Sequence, residues 1–191
     1  MKHRITVFSL PLLAILAMAV LVSSCSKPQE TQSPVERGKY LVMVGGCNDC
    51  HTPKIFTANG PIFDTTRLLS GHPAGSPLPA VPKGVLAPTG WGAMTTNHMT
   101  AWAGPWGVSF AYNLTPDMAT GLGGWTEDTF IKTLREGKFM GLSRPILPPM
   151  PWQSIGQMSD DDLKAIFAYL KTLPPISNPI QPAIPPEASQ D

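Results

Sequence analysis

Five consecutive residues, Cys47-Asn48-Asp49-Cys50-His51, constrain this chain more than any other part of it. Two thiols separated by two residues, with an imidazole directly after the second, form the Cys-x-x-Cys-His pattern of covalent haem attachment. The spacing has a chemical reason. Both thiols must reach the two vinyl groups on one edge of a porphyrin to form thioethers, and the adjacent histidine then lies beneath the iron as an axial ligand. Other uses of a close cysteine pair fit less well. A thioredoxin-like pair belongs near a βαβ pattern, whereas the segment before Cys47 reads as a helix. A structural zinc site needs four ligands, commonly from a second Cys or His pair. The third cysteine, Cys25, stands apart, and His72 and His98 are isolated. The expectation is one covalent haem c on Cys47, Cys50 and His51, with His51 on the metal.

The N-terminus points to export, and so to the compartment where such attachment takes place. Lys2, His3 and Arg4 make a positive start, an apolar stretch runs from Ile5 to Leu21, and Leu21-Val22-Ser23-Ser24-Cys25 closes it. This ending is similar to the lipobox of bacterial lipoprotein signal peptides. Cleavage before Cys25 would leave its thiol carrying diacylglycerol and its amino group acylated, and several chains on one residue anchor stably where one is marginal. An ordinary cleaved signal or an uncut helix of borderline length are the alternatives, and both also export the domain. Ser26, in place of an acidic residue, favours the outer membrane. The expected layout is a signal peptide over 1–24, a tether over 25–33, a domain over 34–176 and a Pro-rich tail over 177–191. The location expected is the periplasmic side of a bacterial membrane, with a lipid anchor on Cys25.

Composition narrows the remaining choices. Charged residues make up 14% with a formal net charge of +1, and no basic run occurs in the body, so the footprint of a nucleic-acid partner is missing. With 22 prolines and 17 glycines in 191 residues, much of the chain must be irregular. A single small domain of that kind calls for a staple such as a cofactor.

Three helices stand out. Ser33-Pro34-Val35-Glu36 has the form of a capping box with proline in the first turn, and Gly45-Gly46 end that helix just before Cys47. Thr126 caps a second helix over Glu127–Glu136, with Trp125 and Phe130 as a hydrophobic staple and Gly137 as the stop. A third begins at Ser159, places Asp160, Asp161 and Asp162 at the positive end of the helix dipole, and repeats Leu163, Ile166, Phe167 and Leu170 on one face. Pro174-Pro175 end it, and the tail beyond Ile176 reads as extended or unordered. From Thr52 to Tyr112 no period is sustained. That stretch holds Trp91, Trp102, Trp106 and Phe110, and reads as a wrap over a large apolar ligand, with room for short helices or a hairpin.

A sixth ligand to iron must come from outside the motif. Met150 lies in Leu147-Pro148-Pro149-Met150-Pro151-Trp152, where proline on both sides stiffens the backbone around a thioether. Met140 and Met158 are the alternatives. Met43, Met94 and Met118 read as core filler, and His72 and His98 as surface loop residues.

Taken in order, several segments resemble a known family. They are Arg37-Gly38-Lys39-Tyr40-Leu41, the haem motif, Asn113-Leu114-Thr115-Pro116-Asp117, Thr120 to Trp125, Leu134-Arg135-Glu136-Gly137, Pro149-Met150-Pro151-Trp152 and Ser159 to Leu173. With them the chain resembles class I-type monohaem cytochrome c domains, and more closely the bacterial cytochromes that accompany periplasmic dehydrogenases. The resemblance covers roughly Pro34 to Ile176 and is weakest from Thr52 to Gly104. It implies an all-α cytochrome c fold, few helices around one haem, with a long irregular Pro/Gly-rich loop. It also implies Met150 as the second metal ligand and Asn113 beside the haem propionates. Trp152 and Trp125 could donate an indole N–H to a propionate, with packing alone as the equal alternative. Arg135 could balance propionate charge, but a solvated helix face is the reading favoured for it.

His/Met ligation fills both axial positions, so the expected role is an electron carrier rather than an enzyme, alone or as the haem subunit of a dehydrogenase complex. Redox proteins such as a dehydrogenase or a terminal oxidase are the expected partners. A peroxidase-like haem enzyme or a gas-binding sensor with a displaceable distal ligand is the alternative.

Overall fold

A computed structural model describes residues 32–81 and 92–186 of the chain. The expected signal peptide over 1–24, Cys25 and the tether to residue 31, residues 82–91 with Trp91, and residues 187–191 lie outside the described residues.

The helical frame follows the capping signals closely. In α1, Pro34–Val44, the Ser33 hydroxyl accepts the Glu36 N–H at 3.2 Å and the Glu36 carboxylate accepts the Ser33 N–H at 3.0 Å. The attachment motif forms a short helix of its own, α2, Cys47–His51. Helix α3 is Glu127–Glu136, capped by Thr126 and ended by Gly137. A single turn, α4, Trp152–Ile155, precedes α5, Asp160–Leu170, whose cap is Ser159.

Helix α1 packs along α5. The approach is close because position 38 is glycine: a Cβ there would collide with the backbone carbonyl of Ala165. At the rim Arg37 Nε donates to Asp162 at 2.9 Å. This exposed pair is worth little on its own, so the helix contact rests on Leu41, Val42, Leu163, Ile166, Phe167 and Leu170, all buried in one core with Phe130 and Leu134 of α3. Full burial of such a side chain contributes about 1.5–3 kcal/mol.

The all-α expectation does not hold. The stretch read as irregular contains two antiparallel sheets. One pairs β1, Lys54–Thr57, with β2, Gly60–Phe63. The other orders β3, Met94–Thr95, next to β4, Ala101–Gly104, and then β5, Gly107–Phe110. Both complete hairpins use one device. Two turn residues, Ala58-Asn59 or Pro105-Trp106, are followed by a glycine at positive φ that opens the return strand, Gly60 at 105° and Gly107 at 92°. With the two turn residues at negative φ, this is the arrangement of an ordinary turn followed by a glycine bulge at positive φ, not a primed two-residue turn. The strands are two to four residues long, too short for an alternation to emerge between so many prolines and glycines. The helical frame stands, and the sheets are added to it.

The described part of the tail, 177–186, is not loose. Asn178 is 1% exposed; its amide donates to the carbonyls of Ser70 and His72 at 2.7 and 2.8 Å, and its carbonyl oxygen accepts from Arg67 and the Ala74 N–H at 3.1 and 2.9 Å. Farther on, Ile184 exchanges backbone hydrogen bonds with Val108 at 2.8 and 2.9 Å. A proline-rich strand with few of its own donors is thus held by one asparagine and one β-bridge.

Other expectations are also corrected. Met43 and Met118 are 65% and 75% exposed rather than core filler. His72 is buried, not a surface loop residue: one ring nitrogen lies 3.0 Å from the Thr100 hydroxyl, its ring stacks at 5.0 Å on Phe110, and Nε2 has no partner among the described residues. Burial, helped by the charges of His98 and Arg67, pushes its pKa down to about 4.

Two outcomes are expected. Gly38→Ala should lose about 1–3 kcal/mol or more in chemical denaturation, because backbone must move to admit the methyl; an unchanged midpoint would mean the helices are farther apart. His72 is held neutral in the fold and titrates near 6.5 when unfolded, so its contribution is complete above that pH and is lost as pH falls toward 4. The free energy of unfolding should drop by up to about 3 kcal/mol across that window, and His72→Leu should flatten the slope.

Candidate functional site

The attachment helix opens onto a cavity of about 610 Å³, within the usual range for a bound organic molecule. Cys47, Cys50 and His51 lie on its wall, as does Met150 from the loop before α4. The structure therefore brings Met150 onto the same cavity as the motif residues Cys47, Cys50 and His51, from about a hundred positions away. The rest of the lining is largely apolar: Leu114, Leu122 and Trp125, Phe130 and Leu134 from α3, and Ile166 and Leu170 from α5.

Helix α2 is fixed at its C-terminal end. Thr52 donates to the Asn48 side chain at 2.8 Å and accepts the Leu69 N–H at 2.9 Å. Lys54 Nζ donates to the carbonyls of Asn48, Asp49 and Thr52 at 3.2, 2.8 and 2.7 Å. His98, expected on the surface, closes this corner with a ring nitrogen 2.9 Å from the Lys54 carbonyl.

His51 is buried, and its Nδ1 lies 2.7 Å from the carbonyl oxygen of Tyr112. A carbonyl can only accept, so Nδ1 carries the proton and Nε2 is left with its lone pair. Burial pushes the His51 pKa down, which keeps the ring neutral near pH 7. The two cysteines are free thiols. Burial pushes Cys47 up to about 11 and raises Cys50 as well. A dithiol redox centre needs a lowered thiol pKa; this pair has the opposite setting.

Met150 is half-buried against the core. Its loop is tied to the second sheet by Ser109, whose hydroxyl donates to the Pro148 carbonyl at 2.6 Å. Among the described residues Met150 is the methionine on the cavity wall; Met140 is exposed, and Met158 packs against the core elsewhere.

The residues offered for propionate contacts divide. Trp125 lines the cavity in an aromatic cluster with Phe139 at 5.3 Å and Tyr112 at 6.1 Å. Trp152 lies off the wall, where a Cβ on Gly137 would collide with its ring. Asn113 is fully occupied inside the fold, donating to Thr120 at 3.1 Å and the Ile176 carbonyl at 2.8 Å and accepting from the Thr115 N–H and hydroxyl. Arg135 bonds Asp160 and the Gly156 carbonyl. The cation at the cavity is instead Arg144, stacked 4.9 Å from the Phe139 ring. Sequence reasoning passed over it, as it did Tyr112, whose contribution is a backbone carbonyl, and Gln181, which the pinned tail brings to the wall.

No group of three or more His, Cys, Asp or Glu suited to a bare metal ion occurs among the described residues. No family model matches the chain. It is 27% identical to the gluconate 2-dehydrogenase cytochrome c subunit of Pantoea cypripedii, over 83% of this chain and 27% of that protein. It is 25% identical to the cytochrome c subunit of the quinone alcohol dehydrogenase of Gluconobacter oxydans, over 82% of this chain and 25% of the relative. For the fructose dehydrogenase cytochrome subunit of Gluconobacter japonicus the identity is 26%, over 72% and 21%. The chain resembles the cytochrome c subunits of dehydrogenases. It spans about a quarter of the length of these relatives.

The donor set fits haem c. Two free thiols on one helical turn, a neutral imidazole with its lone pair on Nε2, a thioether and an apolar cavity are what a covalently held, axially ligated porphyrin requires. Ser109→Ala tests the tie to the Met150 loop. It should cost about 1–2 kcal/mol in denaturation, since the Pro148 carbonyl loses its donor; a loss indistinguishable from zero would mean that loop is held elsewhere.

Proposed function

We propose that this chain holds one haem c covalently on Cys47 and Cys50 and passes single electrons on the periplasmic side of a bacterial membrane. The observation that carries the reading is the shared cavity wall of Cys47, Cys50, His51 and Met150, with the Nδ1 proton of His51 committed to Tyr112. Bound there, the group supplies a reversible one-electron change at its iron. Everything else is done by the chain. Cys47 and Cys50 would hold the group through their sulfurs, the His51 ring, oriented by the Tyr112 carbonyl, would offer its Nε2 lone pair, and Met150 would offer its thioether. Thioether ligation favours the ferrous state and raises the potential. The aliphatic and aromatic walls exclude water, while Arg144 offsets the carboxylate charge of the ring. With His51 and Met150 both engaged as ligands, the chain would leave no site for substrate, and partners would meet it through a small, weak docking contact.

The relatives are named as cytochrome subunits of dehydrogenases, so the electron donor proposed is a dehydrogenase, with a terminal oxidase or similar carrier as acceptor. A lipid on Cys25 keeps the domain at the membrane and raises the effective concentration of a membrane-bound partner. That anchor matters for a near-neutral domain that has little overall charge to steer encounter.

Met150→Ala provides the test. The variant should keep its haem, shift to a lower potential and gain affinity for added imidazole or cyanide. A wild type that is already high-spin and binds these ligands as readily as the variant would instead indicate an open-site haem enzyme or sensor.

A further inference from the structure

Lys54 is the one lysine or arginine that is buried among the described residues, at 7% exposure. It follows the axial histidine by three positions. Its Nζ donates to three carbonyls, two of them in the attachment helix, and stands 4.8 Å from the Phe63 ring centroid. Three acceptors use all three N–H bonds of an ammonium, whereas a neutral amine has only two, so the geometry selects the cation. No carboxylate oxygen lies within salt-bridge distance of it among the described residues. The nearest acidic neighbour in sequence, Asp49, is exposed; its carboxylate attracts the ammonium through water, but burial outweighs that attraction and lowers the Lys54 pKa.

A buried cation without an anion is costly, and an apolar side chain of the same length would ordinarily serve the packing better. A cation over the face of an aromatic ring is partly compensated, and cations suit the C-terminal end of a helix. Both contacts hold the charge in place without cancelling it. The position adjoins the site at which the proposed function requires charge to change.

We propose that Lys54 is a positioning residue that locks the C-terminal end of the attachment helix and, as a fixed cation beside His51, raises the reduction potential of the haem. The inference rests on the haem site proposed above. Losing an electron adds positive charge to the centre, and a neighbouring cation in a low-dielectric setting opposes that change. The residue therefore favours the ferrous form and adds to the effect of the Met150 thioether.

The experiment compares potentials of purified holoprotein for wild type, Lys54→Met, Lys54→Gln and Lys54→Arg, with visible spectra recorded first. A wild type without covalently bound haem would refute the site itself, before any potential is measured. With haem present and Met ligation unchanged in the spectrum, the neutral variants should be easier to oxidise. The expected shift is on the order of tenfold in the equilibrium with a one-electron mediator, about 59 mV. Lys54→Arg should stay near wild type. Neutral variants with an intact ligand spectrum and an unchanged potential would overturn the proposal. Should those variants fail to retain haem, Phe63→Ala decides, because this half-exposed hairpin residue can be removed without touching the helix. Water then reaches the ammonium, and the potential should fall in the same direction by less; no shift would overturn the proposal.

Discussion

The hydrogen bond from His51 Nδ1 to the Tyr112 carbonyl, 2.7 Å long and bridging 61 positions of sequence, is the interaction on which the rest of the site depends. It fixes which nitrogen of the ring keeps a lone pair, and it fixes the plane of the ring. Around it the returning chain is stitched to the attachment helix: Gly71 N–H donates to the His51 carbonyl at 2.8 Å, and Leu114 N–H to the Leu69 carbonyl at 2.9 Å. Two small sheets, a buried histidine and the tail are arranged so that one carbonyl arrives at one imidazole.

The parts legible in the sequence were those governed by local chemistry. Ser33 with Glu36, Thr126 and Ser159 mark helix starts because each cap is satisfied within three residues. Leu163, Ile166, Phe167 and Leu170 mark a buried face because the helix period is itself local. The Cys-x-x-Cys-His motif is local as well. What was hidden depends on partners far along the chain. Tyr112 acts through its backbone, which no side-chain pattern betrays. Asn178 gains its importance from four groups more than a hundred positions away. The β-strands were obscured because their alternation lasts only two to four residues.

Some residues in the family-like segments serve the frame. Asn113 and Arg135 stand in segments that resemble the family, yet both are consumed by internal bonds, Asn113 to Thr120 and Ile176 and Arg135 to Asp160 and Gly156. They hold the frame, and the cavity takes its cation from Arg144. The same segments that signal the resemblance therefore do so partly for structural reasons. Gly38 belongs with them: its place in Arg37-Gly38-Lys39 reflects the crossing of two helices, not contact with the cavity.

Every role proposed for the cavity depends on covalent attachment at Cys47 and Cys50. Intact mass spectrometry, under denaturing conditions, of the protein purified from cells able to attach haem addresses it directly. The expected result is a chain heavier than its polypeptide by one haem, with the added mass located on the peptide containing Cys47 and Cys50. A chain of bare polypeptide mass at that peptide, isolated from cells able to attach haem, would contradict it.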